Sequence, residues 1–468
     1  MRASFFRYLA LPLGAAMLMA GVASAQLARD PGVRGGAPGA GGPITGLSAN
    51  ELQFFFDGRA DFEEEEGVGD GLGPRFNLDS CGGCHFQPDI GGTSPSVNPQ
   101  VAIATAGGAH NTVPSFITAN GPVREARFVK KSDGTADGGV HALFVVAGRV
   151  DSTGNATTCN AVQENFATQV ANNNVIFRIP TPTFGIGLVE EIDDTTLKAN
   201  IAANNSVKIS LGIFGKFNVD GTANTNGNDG TITRFGWKAQ NKSGLLFSGE
   251  AYNVEMGITN ELFQTERDEN PTCQFNTVPN DIQDPNSIDA DTSLEAALGA
   301  TPAIQKFANF MRFSAPPTPV TSYTGANGAV SSTSIARGRQ RFIDVGCYLC
   351  HTPTLNTNAN TSVTALANKP VNAFSDFAIH GMGPGLADGV SQGAAKGDEF
   401  RTAPLWGLGQ RIFLLHDGRT TDLRTAINAH KSSANATFKA SEANAVVDKF
   451  NLLGFGDTQD LFNFLRSL

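Results

Sequence analysis

Cysteine, tryptophan, tyrosine and histidine are all scarce in this chain of 468 residues, at six, two, four and seven copies. So few cysteines exclude a disulfide-dense secreted scaffold, where cysteine exceeds roughly 8–10% of the residues. Basic side chains are outnumbered, with 34 Lys and Arg against 44 Asp and Glu and a net charge of −10. Such a surface repels nucleic acid and anionic membranes, so neither is an expected partner. Long apolar runs are missing too. The strongest, Leu9–Ala20, is shorter than the ~18 residues that a membrane helix needs, so no membrane span is expected. It follows Arg2 and Arg7 and precedes Ala23-Ser24-Ala25, the layout of a cleaved secretory signal over residues 1–25. The expected location is therefore periplasmic, with a mature chain from near Gln26 and a net charge of 32 − 44 = −12.

What the few cysteines and histidines do is cluster. Cys81-Gly82-Gly83-Cys84-His85 and Cys347-Tyr348-Leu349-Cys350-His351 both spell Cys-x-x-Cys-His. In this composition, chance supplies roughly one such string per thousand chains. The spacing is the attachment signal for c-type haem: two thiols add across the porphyrin vinyl groups, and the adjacent imidazole ligates the iron. One motif alone could be a zinc knuckle or a disulfide. Zinc, however, wants four ligands gathered together, and these pairs stand 347 − 81 = 266 residues apart, each with its own histidine. Two covalently bound haem c groups are expected. The remaining cysteines, Cys159 and Cys273, read as a disulfide in an oxidising compartment, with two separate buried thiols as the competing reading.

A chain of this length holds two or three domains. Residues 26–46 are rich in Gly and Pro, without periodicity, and read as a flexible leader; residues 315–334 read as a linker. The expected fold is mainly α: two cytochrome c-like haem domains, 47–314 and 335–468, the first enlarged by β and loop insertions. Leu52–Phe56, Ile335–Val345, Asp422–His430 and Leu461–Leu468 read as helical. His141–Val150 and the alternating Val207–Phe217 read as strands. The acidic run Glu63–Glu66 reads as a solvated face.

The use of each haem depends on its remaining axial position: a protein ligand makes a carrier, an open site a place for peroxide or oxygen. His380, Met382 and His430 compete for the second haem. His110 and His141 follow the first motif, but each reads more simply as a surface or loop histidine, leaving that iron five-coordinate or water-bound.

Longer stretches carry a resemblance. Glu399-Phe400-Arg401-Thr402-Ala403-Pro404-Leu405-Trp406-Gly407-Leu408-Gly409 and Leu415-His416-Asp417-Gly418-Arg419 occur near the C-terminus. Phe76–Ser80, Pro182–Glu190, Arg234–Gln240 and Glu255–Thr259 precede them. In this order they resemble the di-haem oxidoreductases described as peroxidases or thiol oxidoreductases, relatives of bacterial di-haem cytochrome c peroxidases and of the di-haem enzyme that matures methylamine dehydrogenase. The resemblance runs over nearly all of the mature chain. It implies that Trp237 is an electron bridge between haems, a plain core tryptophan being the competing reading. It implies that Glu255 is the acid/base above the N-terminal iron. His430 falls where relatives carry a Met or Tyr ligand, implying bis-histidine ligation of the C-terminal haem, with Met382 as runner-up; His416 reads as structural. Relatives hold a calcium between domains, but the asparagine of that pattern is not evident near Pro180–Thr183. Thiol chemistry has no support in these residues beyond haem attachment.

The function so implied is an exported di-haem c oxidoreductase of the peroxidase type. Peroxide is reduced at the N-terminal haem with electrons relayed from the C-terminal one, supplied by a small periplasmic cytochrome or copper protein. Two alternatives stand beside it: a non-enzymatic electron-transfer cytochrome, and a di-haem oxidase or oxygenase acting on an organic or protein substrate.

Overall fold

The computed structural model describes residues 27–106, 113–136, 146–148, 150, 152–154, 165–219, 231–265 and 301–468. The signal at 1–25, His110, His141, Cys159 and Cys273 lie outside these residues. The described chain is mostly helical, with five small ladders of two antiparallel strands each. None of its helices is long and apolar enough to cross a membrane.

An arrangement repeats around the two Cys-x-x-Cys-His motifs. Helix Ala49–Glu63 leads to the first motif and helix Ser332–Val345 to the second. Both begin on a serine: Ser48 forms a capping box with Glu51, and the Ser331 hydroxyl accepts from the amide of Ser334. Each helix packs on a later one, Ala303–Phe313 in the first case and Phe455–Leu465 in the second, the two most extensive helix pairs among the described residues. Each crossing passes over a glycine. A Cβ on Gly58 would lie 2.1 Å from the Lys306 carbonyl oxygen, and one on Gly338 only 1.9 Å from that of Asp460. Backbones this close exclude any side chain.

The core divides into two main clusters, but not cleanly at the expected linker. Phe55, Phe62, Phe307 and Phe310 centre one cluster, which also takes in Leu355, Leu366, Phe377 and Trp406. Phe342, Phe374, Phe450 and Phe462 centre the other, which takes in Ala28. The Gly/Pro-rich stretch read as a leader has almost no regular structure of its own, yet it is pinned. Asp30 pairs with fully buried Arg466 at 2.8 Å, and the Arg34 amide donates to the Gly409 carbonyl. The expected linker contains a hairpin, Tyr323–Gly325 against Gly328–Val330.

The expected strand Val207–Phe217 begins as a helix instead and continues as turn and irregular chain. Asn205–Ser210 is helical, with Val207 and Ile209 exposed. Lys208, the polar residue between them, is the buried one; its ammonium donates to the carbonyls of Asn200 and Ile201, at the end of helix Asp194–Ala202. A cation on the last carbonyls of a helix is favourable, so this contact overrides the alternation.

Candidate functional site

Each motif lines a cavity, of about 140 Å³ at the first and about 240 Å³ at the second. Cys81, Cys84, His85 and Glu255 line the first; Cys347, Cys350, His351, His380, Met382 and His430 line the second. Trp237 lines both. It sits in the turn between Phe235 and Asn241, and its indole N–H donates to the Ile179 carbonyl at 2.9 Å. Trp237 meets His416 edge-on, His416 stacks on Phe400, and the Lys238 ammonium lies 3.7 Å from the centre of that ring.

The four motif cysteines are half-buried and, among the described residues, unbridged. Burial pushes the Cys81 and Cys347 thiols up to about 12 and that of Cys84 well above its ordinary value, so they are not reactive thiolates. The imidazoles behave oppositely. Burial holds His85 and His351 down at about 4 and lowers His430 as well, with His430 itself adding to the depression of His351. A metal ligand must be neutral imidazole with one nitrogen free. Nδ1–H donates to a backbone carbonyl in all three: Gly92 for His85 at 3.0 Å, Phe374 for His351 at 3.0 Å, and Ala426 for His430 at 2.8 Å. The carbonyl acceptor fixes the tautomer, so Nε2 carries the lone pair, the arrangement that orients ligating histidines. The Thr181 carbonyl also lies beside His85. These residues fit an iron porphyrin in each cavity.

His380 is held differently. Its Nδ1 meets Glu442 at 2.9 Å and its Nε2 meets Asp376 at 3.1 Å, so both ring nitrogens are occupied by carboxylates. Among the described residues, the grouping with ligand atoms close enough to hold a metal ion is Cys350, Asp376 and His380, and calcium would not choose a thiol or an imidazole.

Glu255 ends the helix Gly244–Met256, which Gly257 closes in the left-handed conformation. The Asn77 side chain donates to its carboxylate at 2.7 Å, while the Asn77 amide takes its backbone carbonyl. Burial, reinforced by Glu125, pushes Glu255 up to about 8. Its place at the negative end of a helix disfavours the anion too. A carboxyl balanced near neutrality can both accept and return a proton.

Residues 125–468 match the family model described as "Di-haem oxidoreductase, putative peroxidase". The chain belongs to this di-haem oxidoreductase family. The matched span contains Trp237, Glu255, His430 and the second motif, while the first motif lies ahead of it. Haem cofactors and oxidoreductase chemistry come with this membership. No curated protein matches the chain. Among solved structures it is similar to a chain of Kuenenia stuttgartiensis hydrazine synthase, in a structure pressurized with 20 bar xenon. The identity is 19% and the TM-score 0.23, over 36% of this chain and 55% of that one. The chain therefore spans about half the length of that relative, and a likeness this slight carries no argument.

Several groups in this di-haem oxidoreductase escaped the sequence reading. Asp388 binds Arg178 at 2.7 Å and Lys238 at 3.0 Å, a buried triad behind Phe400. The Asp376 and Glu442 clamp on His380 spans 62 residues of chain between imidazole and Glu442. Arg401 and Arg411 line the second cavity, each held down at about 10, by burial first and then by a neighbouring arginine. Arg401 and Lys238 stand within stretches that the resemblance already picked out. Neither composition nor spacing marked any of the others.

Proposed function

We propose that this oxidoreductase reduces peroxide at a haem c held by Cys81, Cys84 and His85, using electrons relayed from a second haem c held by Cys347, Cys350 and His351. The carrying observation is that Trp237 is a common wall of two cavities, each with its own Cys-x-x-Cys-His histidine presenting Nε2. The proposal extends to two haem domains, 47–314 and 335–468, in a protein exported to the periplasm. When bound, the haems would supply redox-active iron and the vinyl groups to which the cysteine thiols add.

The protein groups divide the remaining work. Glu255 takes a proton from the near oxygen of peroxide and returns it to the far oxygen, which departs as water. Asn77 aims that carboxylate by gripping both its side chain and its backbone. His351 and His430 would both ligate the iron of the C-terminal haem, leaving that haem a carrier rather than a reaction site. Trp237, the wall common to both cavities, meets His416, which stacks on Phe400 in the wall of the second, a rigid path of polarisable rings for electrons. A small cytochrome or copper protein supplies them.

The test is peroxide consumption by Glu255→Gln, with electrons provided by a reduced small cytochrome. The variant keeps both haems and turns over roughly 10²–10⁴-fold more slowly. Wild-type activity rises with pH through about 8, where Glu255 gains its charge, and the variant lacks that rise. Unchanged kinetics in the variant would remove Glu255 from the reaction. Wild-type protein whose haems both ignore peroxide would leave the electron-carrier reading, and turnover without peroxide would favour an oxidase.

A further inference from the structure

Two guanidiniums line the second cavity without a carboxylate to answer them. Arg401 is 9% exposed and Arg411 8%. Arg401 donates from Nε to the Gly236 carbonyl at 2.9 Å, and Arg411 from Nη2 to the Pro404 carbonyl at 3.4 Å. Among the described residues, no acidic side chain bonds either one. Arg466, which stands behind Arg411 and donates to its carbonyl, is already satisfied by Asp30. The arginines of the first cavity differ. Arg127 sits 2.5 Å from Glu125, Arg178 sits 2.7 Å from Asp388, and Arg124 has Asp417 as its acidic neighbour.

Two buried like charges with carbonyl partners alone are unfavourable. They persist in a fold only if an anion of matching charge completes the site. Guanidinium is the side chain suited to gripping carboxylate with paired N–H groups. A porphyrin brings two carboxylates on one edge. We propose that Arg401 and Arg411 form the clamp for the two propionates of the haem in the second cavity; this rests on the reading that a haem occupies it. Arg401 has a further consequence. Its backbone amide donates to the Trp237 carbonyl and its Nε to that of Gly236, both at 2.9 Å. The residue that grips a propionate therefore also anchors the tryptophan turn, and the clamp and the shared wall are one structural unit.

Intact mass and optical redox titration of Arg401→Gln and Arg411→Gln, with resonance Raman spectra, test this. Wild-type mass carrying two thioether-linked haems establishes the occupant; a wild type with no haem in the second cavity defeats the haem reading and the clamp together. Each variant is expected to keep two haems, to lower the midpoint potential of the low-spin haem, and to shift its propionate-bending band. The sign follows because loss of a neighbouring cation favours ferric over ferrous iron. Arg401→Lys should retain part of the wild-type potential, and it carries the same comparison if the glutamine variant does not fold. Two haems with potential and propionate band both unchanged would overturn the clamp while leaving the haem reading intact.

Discussion

His430 and His380 line the same cavity and differ in what holds their ring nitrogens. A backbone carbonyl takes one nitrogen of His430 and leaves the other for a metal; two carboxylates take both nitrogens of His380. That contrast favours His430 as the distal ligand, and it rests on contacts that no spacing rule foretells. Replacing His430 with Gly should convert one haem from low-spin to high-spin in optical spectra, whereas unchanged spectra would hand the ligand role to Met382. Glu255 gives a second residue-scale expectation. Its native value, about 8, lies above the unfolded carboxyl value of 4.5, so the native state holds a proton that the unfolded state has lost between those pH values. Its contribution to stability is complete below pH 4.5 and is lost as pH rises through about 8. Denaturant titration should show Glu255→Gln gaining on wild type across that window, and parallel stability curves would refute the buried carboxyl. The two Cys-x-x-Cys-His motifs stood out because covalent haem attachment, the use proposed for them, needs its groups in five consecutive positions. Arg401, Arg411 and Asp376 were not, since burial and partnering are settled by segments far apart in the chain.

At the scale of elements, the helices that lead to the motifs were readable from their spacing, and both extend further than expected: Ala49–Glu63 and Ser332–Val345. Serine caps and periodic apolar faces are local signals. The misread strand at 207–217 shows their limit. Its alternation of apolar and polar residues was real, but a buried lysine on the carbonyls of the preceding helix decided the conformation. The glycine crossings are equally tertiary, since nothing in the sequence says which helix Gly58 or Gly338 will meet. Gly338→Ala would force a methyl to within 1.9 Å of the Asp460 carbonyl oxygen. Overpacking of this kind costs roughly 1–3 kcal/mol or more, so the variant should unfold at lower denaturant than wild type. A midpoint equal to wild type would mean that the two helices do not cross there.

For the molecule as a whole, the two motif-bearing segments are interleaved rather than strung together. Trp406 and Phe377 from the later segment complete the first core, and the stretch near Asp30 is fixed to the end of the last helix. Composition marked residues 26–46 and 315–334 as irregular, which the backbones of 27–46 and 315–331 are outside one short hairpin, but composition says nothing about docking. Interleaving holds the walls of both cavities against one another, and Trp237 at their junction serves both. The central claim is that these cavities carry two chemically unequal haems. Low-temperature electron paramagnetic resonance of the oxidised protein tests it most directly. Equal amounts of a high-spin ferric signal, altered by cyanide, and a low-spin bis-histidine signal, unaffected by it, are expected. Two low-spin signals indifferent to added ligand, or a spectrum without haem iron, would contradict the account.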